Sequence, residues 1–449
     1  MVQINEKKSL LYSSFFSATS KVLTYILLLL LANIFLISEY GEAVFALSIF
    51  RLILLFSLFS IADLFTPMII NKKDTASVFY FLLFEFLILT SIGILISMNN
   101  LWILPLVISA PFFLFFSLSL AIFKTQHKYH LEAFYNALMM LVTLISILFL
   151  KNYGKFGIVF SYSMGYILVS LITTYLNRKE IYSILSKFQI KIKSTLGYLK
   201  KGFIASLILV SFAFLQWVDS TILGILSTFE NVARYNIVGP ISNLIALIPL
   251  SLSLFVLTRS SEIKNESKSR LILKRVIRIS FTISLIIAIL LNSLIYPIIK
   301  TFFPKYIGTE LYFMVLSIGI LSYSIYSIIN SYLLGKLKPE KSFIPIVLAA
   351  IINIVLDIIL IPKYQLLGIV IATTIAHLTA LIMLSFIARI HKKLILFLIL
   401  FLAIPISFYL QIYGILIIIP AMFLLLLFRL INKEDLSLLY QTLKSSIKR

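Results

Sequence analysis

The residues of this sequence that could do chemistry are ionisable side chains inside long apolar runs. Lys21, Arg51, Asp219, Asp357 and His377 each stand in such a run. A charge at the centre of a bilayer costs roughly 2.5–3.5 kcal/mol on insertion scales, so each one needs a partner, a water-filled cavity or a function. The two cations are therefore candidate anion-binding groups, and the two aspartates are candidate sites for a coupling ion.

Other chemistries are excluded by composition. The chain has no cysteine, which removes disulfides, thiolate metal sites, cysteine nucleophiles and cysteine-ligated iron–sulfur clusters. Its four histidines are scattered, so we predict no metal site and no cofactor. Neither Gly154-Lys155 nor Gly335-Lys336 belongs to a Gly-x-x-x-x-Gly-Lys-Ser/Thr loop, which argues against an ATP-driven pump.

The apolar runs indicate a membrane protein. Of the 449 residues, 61% are apolar and 12% are charged, against roughly 45–50% and 25% in soluble domains. A net charge of +22 would suggest a nucleic-acid partner in a soluble protein. Here the basic residues fall in loops between apolar runs, so we predict contact with membrane lipids and no nucleic acid.

Runs of about 20 apolar residues, the length that crosses the hydrocarbon core, predict fourteen transmembrane helices. Their predicted bounds are 10–37, 43–67, 76–98, 101–123, 133–150, 156–176, 203–226, 235–258, 279–299, 310–334, 343–361, 366–388, 394–412 and 414–428. The N-terminus, the even-numbered loops and the C-terminal tail hold 31 basic residues, whereas the odd-numbered loops hold six. The positive-inside rule then predicts that both termini are cytoplasmic.

An internal repeat divides the chain into two lobes. Residues 151–159, KNYGKFGIV, match residues 362–370, PKYQLLGIV, at an offset of 211. Six predicted helices separate the copies, so both halves insert in the same orientation, as in parallel-repeat transporters with a substrate path between the halves. We predict an all-α membrane protein with two six-helix lobes and two further helices. The predicted boundaries are an N-lobe at 1–177, a basic cytoplasmic amphipathic linker at 178–202, a C-lobe at 203–392, helices thirteen and fourteen at 393–428, and a cytoplasmic tail at 429–449.

Three predicted helices have a polar face suited to lining a cavity. The stripe on helix one and the faces of helices seven and eight comprise Ser14, Ser17, Lys21, Thr24 and Tyr25; Gln216, Asp219 and Ser220; and Asn236, Gly239, Pro240 and Asn243. Alternatives remain for the charges: Lys21 could pair with a carboxylate, Arg51 could reach the outer interface, and Asp219 could neutralise a basic residue. Asp357 and His377 could pair across neighbouring helices.

The repeated turn, a helix running into Ile-Pro-Lys-Tyr-x-x-x-Gly-Ile and then a helix of small residues, resembles the polysaccharide transporters of the MOP (multidrug/oligosaccharidyl-lipid/polysaccharide) exporter superfamily. Within it the chain is most similar to the O-antigen (Wzx-type) flippases. Further likeness lies in Glu39-Tyr40-Gly41, Ala62-Asp63-Leu64 and the segment 219–224, DSTILG. One departure is Leu64-Phe65 after Asp63, where relatives commonly carry a glycine.

The resemblance implies a MATE-like fold and transport rather than catalysis. The implied cargo is a polyprenyl-diphosphate-linked oligosaccharide, such as an O-antigen, lipopolysaccharide or capsule repeat unit on undecaprenyl diphosphate, moved from the cytoplasmic to the outer leaflet by alternating access. It also implies a bacterial inner membrane, with a polymerase and a chain-length regulator of the same pathway as partners. Related lipid II flippases use cations on helices one, two and eight for the diphosphate, which here correspond to Lys21, Arg51 and Arg234.

Two other functions remain open. A multidrug or cation exporter of the same superfamily often carries a carboxylate in helix one for proton coupling, but here that helix holds only Lys21. A membrane-embedded polysaccharide polymerase usually has a long outward loop or acids in its first outward loop. Glu39 and Glu42 stand in the first outward loop, although no outward loop is long.

Overall fold

The computed structural model describes residues 2–57, 65–66, 68–69, 75–97, 100–186, 218–263, 265–336, 338, 340–390 and 394–427. Every regular element in these ranges is a helix. Nine helical segments of the described chain are long and apolar enough to cross a membrane, and one of them, Tyr129–Leu176, contains two helices joined by a turn. Helix is present in the described part of all fourteen predicted spans, which confirms the all-α membrane fold.

The helices fall into two groups along the chain. In chain order the first group is α1 (Val2–Ile34), α2 (Ile37–Ser57), α3 (Thr75–Ser97), α4 (Leu104–Thr125), α5 (Tyr129–Leu150), α6 (Gly154–Leu176) and α7 (Arg178–Leu185). Residues 218–226 are also helical. The second group is α8 (Phe229–Asn243), α9 (Leu247–Glu262), α10 (Glu266–Phe302), α11 (Glu310–Gly335), α12 (Glu340–Tyr364), α13 (Leu366–Ile387), α14 (Leu394–Leu400), α15 (Ala403–Tyr409) and α16 (Ile418–Leu427).

Contacts divide the chain into two compact units. Unit 1 comprises residues 1–224 and 228–233, and unit 2 comprises 225–227 and 234–449. In unit 1, α1 packs on α5, and α4 and α5 both pack on α6. In unit 2, α13 packs on both α11 and α12, while α10 packs on α11 and α15. Each unit therefore buries its own set of apolar helix faces.

The predicted loop from Arg259 to Arg278 is wrong over most of its length. Helix α9 continues to Glu262, and α10 begins at Glu266 and runs for 37 residues. Asn265 caps α10, because its side chain accepts a hydrogen bond from the Lys268 amide at 3.1 Å. The basic residues of the first turns of α10 interrupt the apolar pattern but continue the helix, since Lys and Arg are good helix formers.

The internal repeat has the same backbone conformation in both copies. Gly154 and Gln365, which are 211 residues apart, both have positive φ, at +55° and +49°. Three residues later, Gly157 and Gly368 lie against carbonyls of the preceding helix: an added Cβ would come within 2.2 Å of the Leu150 oxygen and 2.5 Å of the Leu360 oxygen. Each copy is thus a tight helical hairpin that requires a left-handed residue and a close backbone approach.

The eighth predicted transmembrane helix, 235–258, is broken in the middle, and the break has an identifiable cause. A 3₁₀ turn at Leu244–Ala246 separates α8 from α9. Pro249 lacks the amide hydrogen that would bond the Ile245 carbonyl four residues earlier. The hydroxyl of Ser284, which is fully buried on α10, donates to that carbonyl at 2.9 Å. The neighbouring helix therefore satisfies the backbone group that the proline frees, and the break is fixed in position.

Replacing Gly154 with alanine should destabilise unit 1 by about 1–3 kcal/mol, because a side chain is strained at this φ and its Cβ would meet the Glu39 carboxylate. Unfolding in mixed detergent micelles measures the change. Gly239→Ala is the matched control, since nothing lies within 4 Å of its added Cβ. Equal stability of the two alanine variants would contradict the requirement for a glycine at 154.

Ser284→Ala should also destabilise the protein, by about 1–3 kcal/mol, because it leaves the Ile245 carbonyl buried without a donor. The control is Ser280→Ala, one turn earlier on α10, which removes a buried hydroxyl that has no hydrogen-bond partner in the described structure. Thermal unfolding of both purified variants should show a loss only for Ser284→Ala, and equal melting temperatures would contradict the assigned role.

Candidate functional site

A polar cluster inside unit 1 is formed by α2 and the helical segment 218–226. The hydroxyls of Ser48 and Thr221 share a hydrogen bond of 2.8 Å. One turn away, a Cβ added to Gly224 would lie 2.2 Å from the ring of Phe45. Residue numbers along this contact increase in α2 where they decrease in the segment 218–226, so the two helices run antiparallel.

That register places Arg51 and Asp219 at nearly the same level. Arg51 lies one turn beyond Ser48 on the same face of α2, and Asp219 lies two residues before Thr221. Asp219 is fully buried, and Arg51 is half-buried. The structure therefore gathers a guanidinium, a carboxylate and two hydroxyls in one part of unit 1.

Arg51 lies far enough along α2 to argue against its side chain reaching the predicted outer interface. Glu42 at the start of α2 forms an ion pair with Lys155, whose ammonium also lies 4.9 Å from the Trp102 ring centre. The Glu42–Lys155 ion pair lies at the predicted outer end of α2. Arg51 is nine residues further along the helix, about 13 Å at 1.5 Å per residue. Arg51 also lies near the Tyr162 hydroxyl of α6.

Lys21 lies on an exposed face of α1, while Phe16 on the same helix contacts Phe134 of α5. Ser14, Ser17, Lys21 and Thr24 are exposed, whereas the helix buries Leu27, Leu28 and Leu31. The predicted polar stripe is therefore turned away from the core. A stripe containing a lysine is costly against hydrocarbon, so water or a polar ligand is its favourable environment.

Arg234 lies in unit 2 beside the turn between α10 and α11. Tyr306 in that turn is fully buried, and its hydroxyl has no hydrogen-bond partner among the described residues. Burial raises the pKa of Tyr306, and the nearby charge of Arg234 offsets part of that rise. Arg234 itself is half-buried. On the same helix, Asn236 is half-buried and Asn243 is exposed at the break before α9.

Asp357 is fully buried on α12, and sequence reasoning missed the residue beside it. The Asn353 side-chain amide donates to the Asp357 carboxylate at 2.6 Å, and Asn353 is also fully buried. The spacing i, i+4 on one helix was the available signal. The His377 ring hydrogen-bonds the Tyr326 hydroxyl of α11, and no hydrogen bond joins His377 to Asp357 among the described residues.

Gln216 and Asp63 lie outside the described residues. The remaining candidates are distributed over both units. Arg51 and Asp219 come together in unit 1, where Lys21 lies on another helix. Arg234, Asn236, Asn243 and Asp357 belong to unit 2.

Comparison with known proteins finds likeness in structure. No protein-family model matches the chain. No curated protein matches it in sequence. A solved structure described as the lipid II flippase MurJ in an inward closed conformation superposes with a TM-score of 0.75 at 20% identity, covering 96% of this chain and 99% of that one.

Two MATE transporter structures also superpose. An inward-facing multidrug resistance MATE family transporter of the MOP superfamily gives a TM-score of 0.65 at 13% identity, covering 86% of this chain and 94% of that one. MATE in the straight conformation gives 0.56 at 14% identity, covering 88% and 96%. Over nearly its whole length, therefore, this chain has the all-helical membrane fold that MurJ and the MATE transporters share.

Proposed function

We propose that the protein is a flippase that moves a polyprenyl-diphosphate-linked oligosaccharide from the cytoplasmic to the outer leaflet. The observation that carries this proposal is Arg51, a half-buried guanidinium deep in a membrane helix. A guanidinium can bind two oxygens of a diphosphate at once. The fold of a lipid II flippase over 96% of the chain supports the same class of cargo.

Lys21 and Arg234 are the other two proposed phosphate-binding groups. Lys21 is exposed in a polar stripe, so a ligand can reach it without breaking a contact inside unit 1. Arg234 is half-buried beside the orphaned hydroxyl of Tyr306, a second donor in the same neighbourhood. The polar side chains of Gln216, Asn236 and Asn243 are proposed to line the path of the sugar.

Transport proceeds by alternating access in this proposal, and Asp219 or Asp357 binds the coupling ion. Both carboxylates are fully buried within membrane helices, where a charge is retained only with a partner or a function. The cargo is an undecaprenyl-linked O-antigen or capsule repeat unit in the bacterial inner membrane. The protein acts there with both termini in the cytoplasm, together with a polymerase and a chain-length regulator. It is a transporter and not an enzyme in this assignment.

A multidrug exporter is the second candidate, because two MATE transporters share the fold. A cationic drug is a poor match to Lys21 and Arg51, whereas an anionic diphosphate complements both. For a polymerase, Glu39 and Glu42 would be the acids to use. The structure commits Glu42 to an ion pair with Lys155, and a Glu39 carboxylate oxygen accepts a hydrogen bond from the Leu36 amide.

Arg51→Ala should abolish surface polysaccharide while the amount of protein in the membrane stays normal, because it removes the bidentate phosphate ligand. Arg51→Lys keeps the charge but loses the fork geometry, so it should recover only part of the activity. Lys21→Ala should also abolish surface glycan. Complementation of a deletion strain, with glycan staining and membrane immunoblots, measures all three.

The matched control is Lys151→Ala, which removes an exposed cation from the turn before α6 and should leave surface glycan unchanged. Normal glycan in both the Arg51→Ala and Lys21→Ala strains would overturn the proposed diphosphate site. Heightened drug sensitivity of the deletion strain, with a normal lipid-linked pool, would favour the exporter.

Asp219→Asn tests the proposed ion coupling. If Asp219 binds the coupling ion, the variant should transport at a rate that no longer responds when the ion gradients are collapsed, because the amide carries no charge to exchange. The readout is accumulation of cytoplasmic-leaflet repeat units with and without an ionophore, at equal expression. Unchanged sensitivity to the gradient in Asp219→Asn would transfer the assignment to Asp357, which Asp357→Asn tests in the same assay.

A further inference from the structure

His377 lies close to the centre of the membrane, and the proposed function does not use it. It stands eleven residues beyond the start of α13, about 16 Å along the helix at 1.5 Å per residue. Half of the hydrocarbon core is about 15 Å thick. The side chain is 5% exposed, so this imidazole is buried within unit 2 at the depth where a charge costs most.

One side of the imidazole is held by two tyrosines of α11. Its Nδ1 lies 2.9 Å from the Tyr326 hydroxyl, and Tyr326 is fully buried. The ring also stacks on Tyr323, with centroids 5.6 Å apart and planes inclined by 27°. No described residue hydrogen-bonds the other ring nitrogen, Nε2. The ring is therefore fixed in orientation while one nitrogen is left for a proton or a water molecule.

The helices that hold His377 are in close contact. A Cβ added to Gly319 on α11 would lie 3.0 Å from the Thr374 Cα and 3.4 Å from the His377 Cδ2, the ring carbon next to Nε2. This contact covers one side of the ring, while 5% of the side chain stays exposed. A shift of α11 against α13 would therefore change how much of the ring water can reach.

No described charge offsets the cost of charging this buried imidazole. On α11 the titratable groups that face it are Tyr323 and Tyr326. On α12, the other helix packed against α13, the ionisable residue away from the ends is Asp357, whose carboxylate accepts a hydrogen bond from Asn353. Helix α13 carries no other ionisable residue. No carboxylate is seen to pair with an imidazolium here.

We infer that His377, held by Tyr326, is a proton-binding site whose occupancy drives unit 2 out of the present conformation. A proton from water adds to the free lone pair of a ring nitrogen and is later returned to water, and no other bond changes. In the charged state Nδ1–H donates to the Tyr326 oxygen. The inference rests on the proposed function only in that a transporter alternates between conformations. A histidine that merely joins α11 to α13 would make the stability of the fold depend on pH without changing the populations of the folded conformations.

The test uses the absence of cysteine from the chain. Spin labels at Asn152→Cys and Lys363→Cys, two exposed positions in different units, report conformational populations in lipid nanodiscs by double electron–electron resonance. Lowering the pH from 8 to 5 should depopulate the conformation that buries His377. Linkage of one proton allows up to about a tenfold change in the population ratio per pH unit.

His377→Gln should abolish this response, and Tyr326→Phe should move its midpoint to lower pH, because the imidazolium loses its acceptor. The matched control His130→Gln, at a histidine near the N-terminus of α5 whose Nδ1 is hydrogen-bonded to Ser9, should respond like the parent protein. A pH-independent parent, or an unchanged response in His377→Gln, overturns the inference. If His377→Gln does not fold, an unshifted midpoint in Tyr326→Phe overturns it.

The measurement contains no lipid-linked substrate, so it separates this inference from the proposed function. Arg51→Ala, which removes the proposed diphosphate ligand, should leave the pH response intact. A pH response that persists when that variant retains full surface glycan supports the proton site and rejects the diphosphate site. Loss of the response in Arg51→Ala overturns the assignment of the proton to His377.

Discussion

Inside hydrocarbon there is no water to hydrogen-bond a polar group, and this constraint shapes most of the contacts in the structure. Where a proline removes a backbone donor, as Pro249 does, a hydroxyl from a neighbouring helix replaces it: Ser284 donates to the Ile245 carbonyl. Hydroxyls also bond carbonyls of neighbouring helices where no proline is involved: Ser170 donates to the Phe112 carbonyl and Thr374 to the Val315 carbonyl. The small polar residues of this chain therefore join helices that apolar packing alone would leave free to slide.

The same constraint explains why the ionisable residues matter. A charge in a membrane helix survives only where the fold gives it a partner or where function requires it. Asp357 has Asn353, and His377 has Tyr326. Arg51 and Asp219 are brought to one level of unit 1 by the antiparallel contact between α2 and the segment 218–226. Anion binding, ion coupling and proton binding are thus assigned to different groups, each with its own structural support.

The repeat shows how one supersecondary unit was used twice. Both copies turn through a residue with positive φ, and both place a glycine against the end of the preceding helix. The second copy has Gln365 where the first has Gly154, so the backbone shape is retained although the residue best suited to it is not. The conformation is imposed by the two helices of the hairpin, which pack extensively in each unit.

The sequence by itself determined the membrane class, the helical spans and the repeat. The reason is that crossing hydrocarbon requires long apolar runs, which are visible without knowledge of their neighbours. Apolar runs do not show where a helix continues outside hydrocarbon. The basic stretch from Arg259 to Arg278 is mostly helical, because helix formation does not require apolar residues. Only the tertiary structure decided which polar residues meet. His377 binds Tyr326, and Arg51 lies level with Asp219, because contacts between helices depend on register and rotation, which spacing along one chain does not fix.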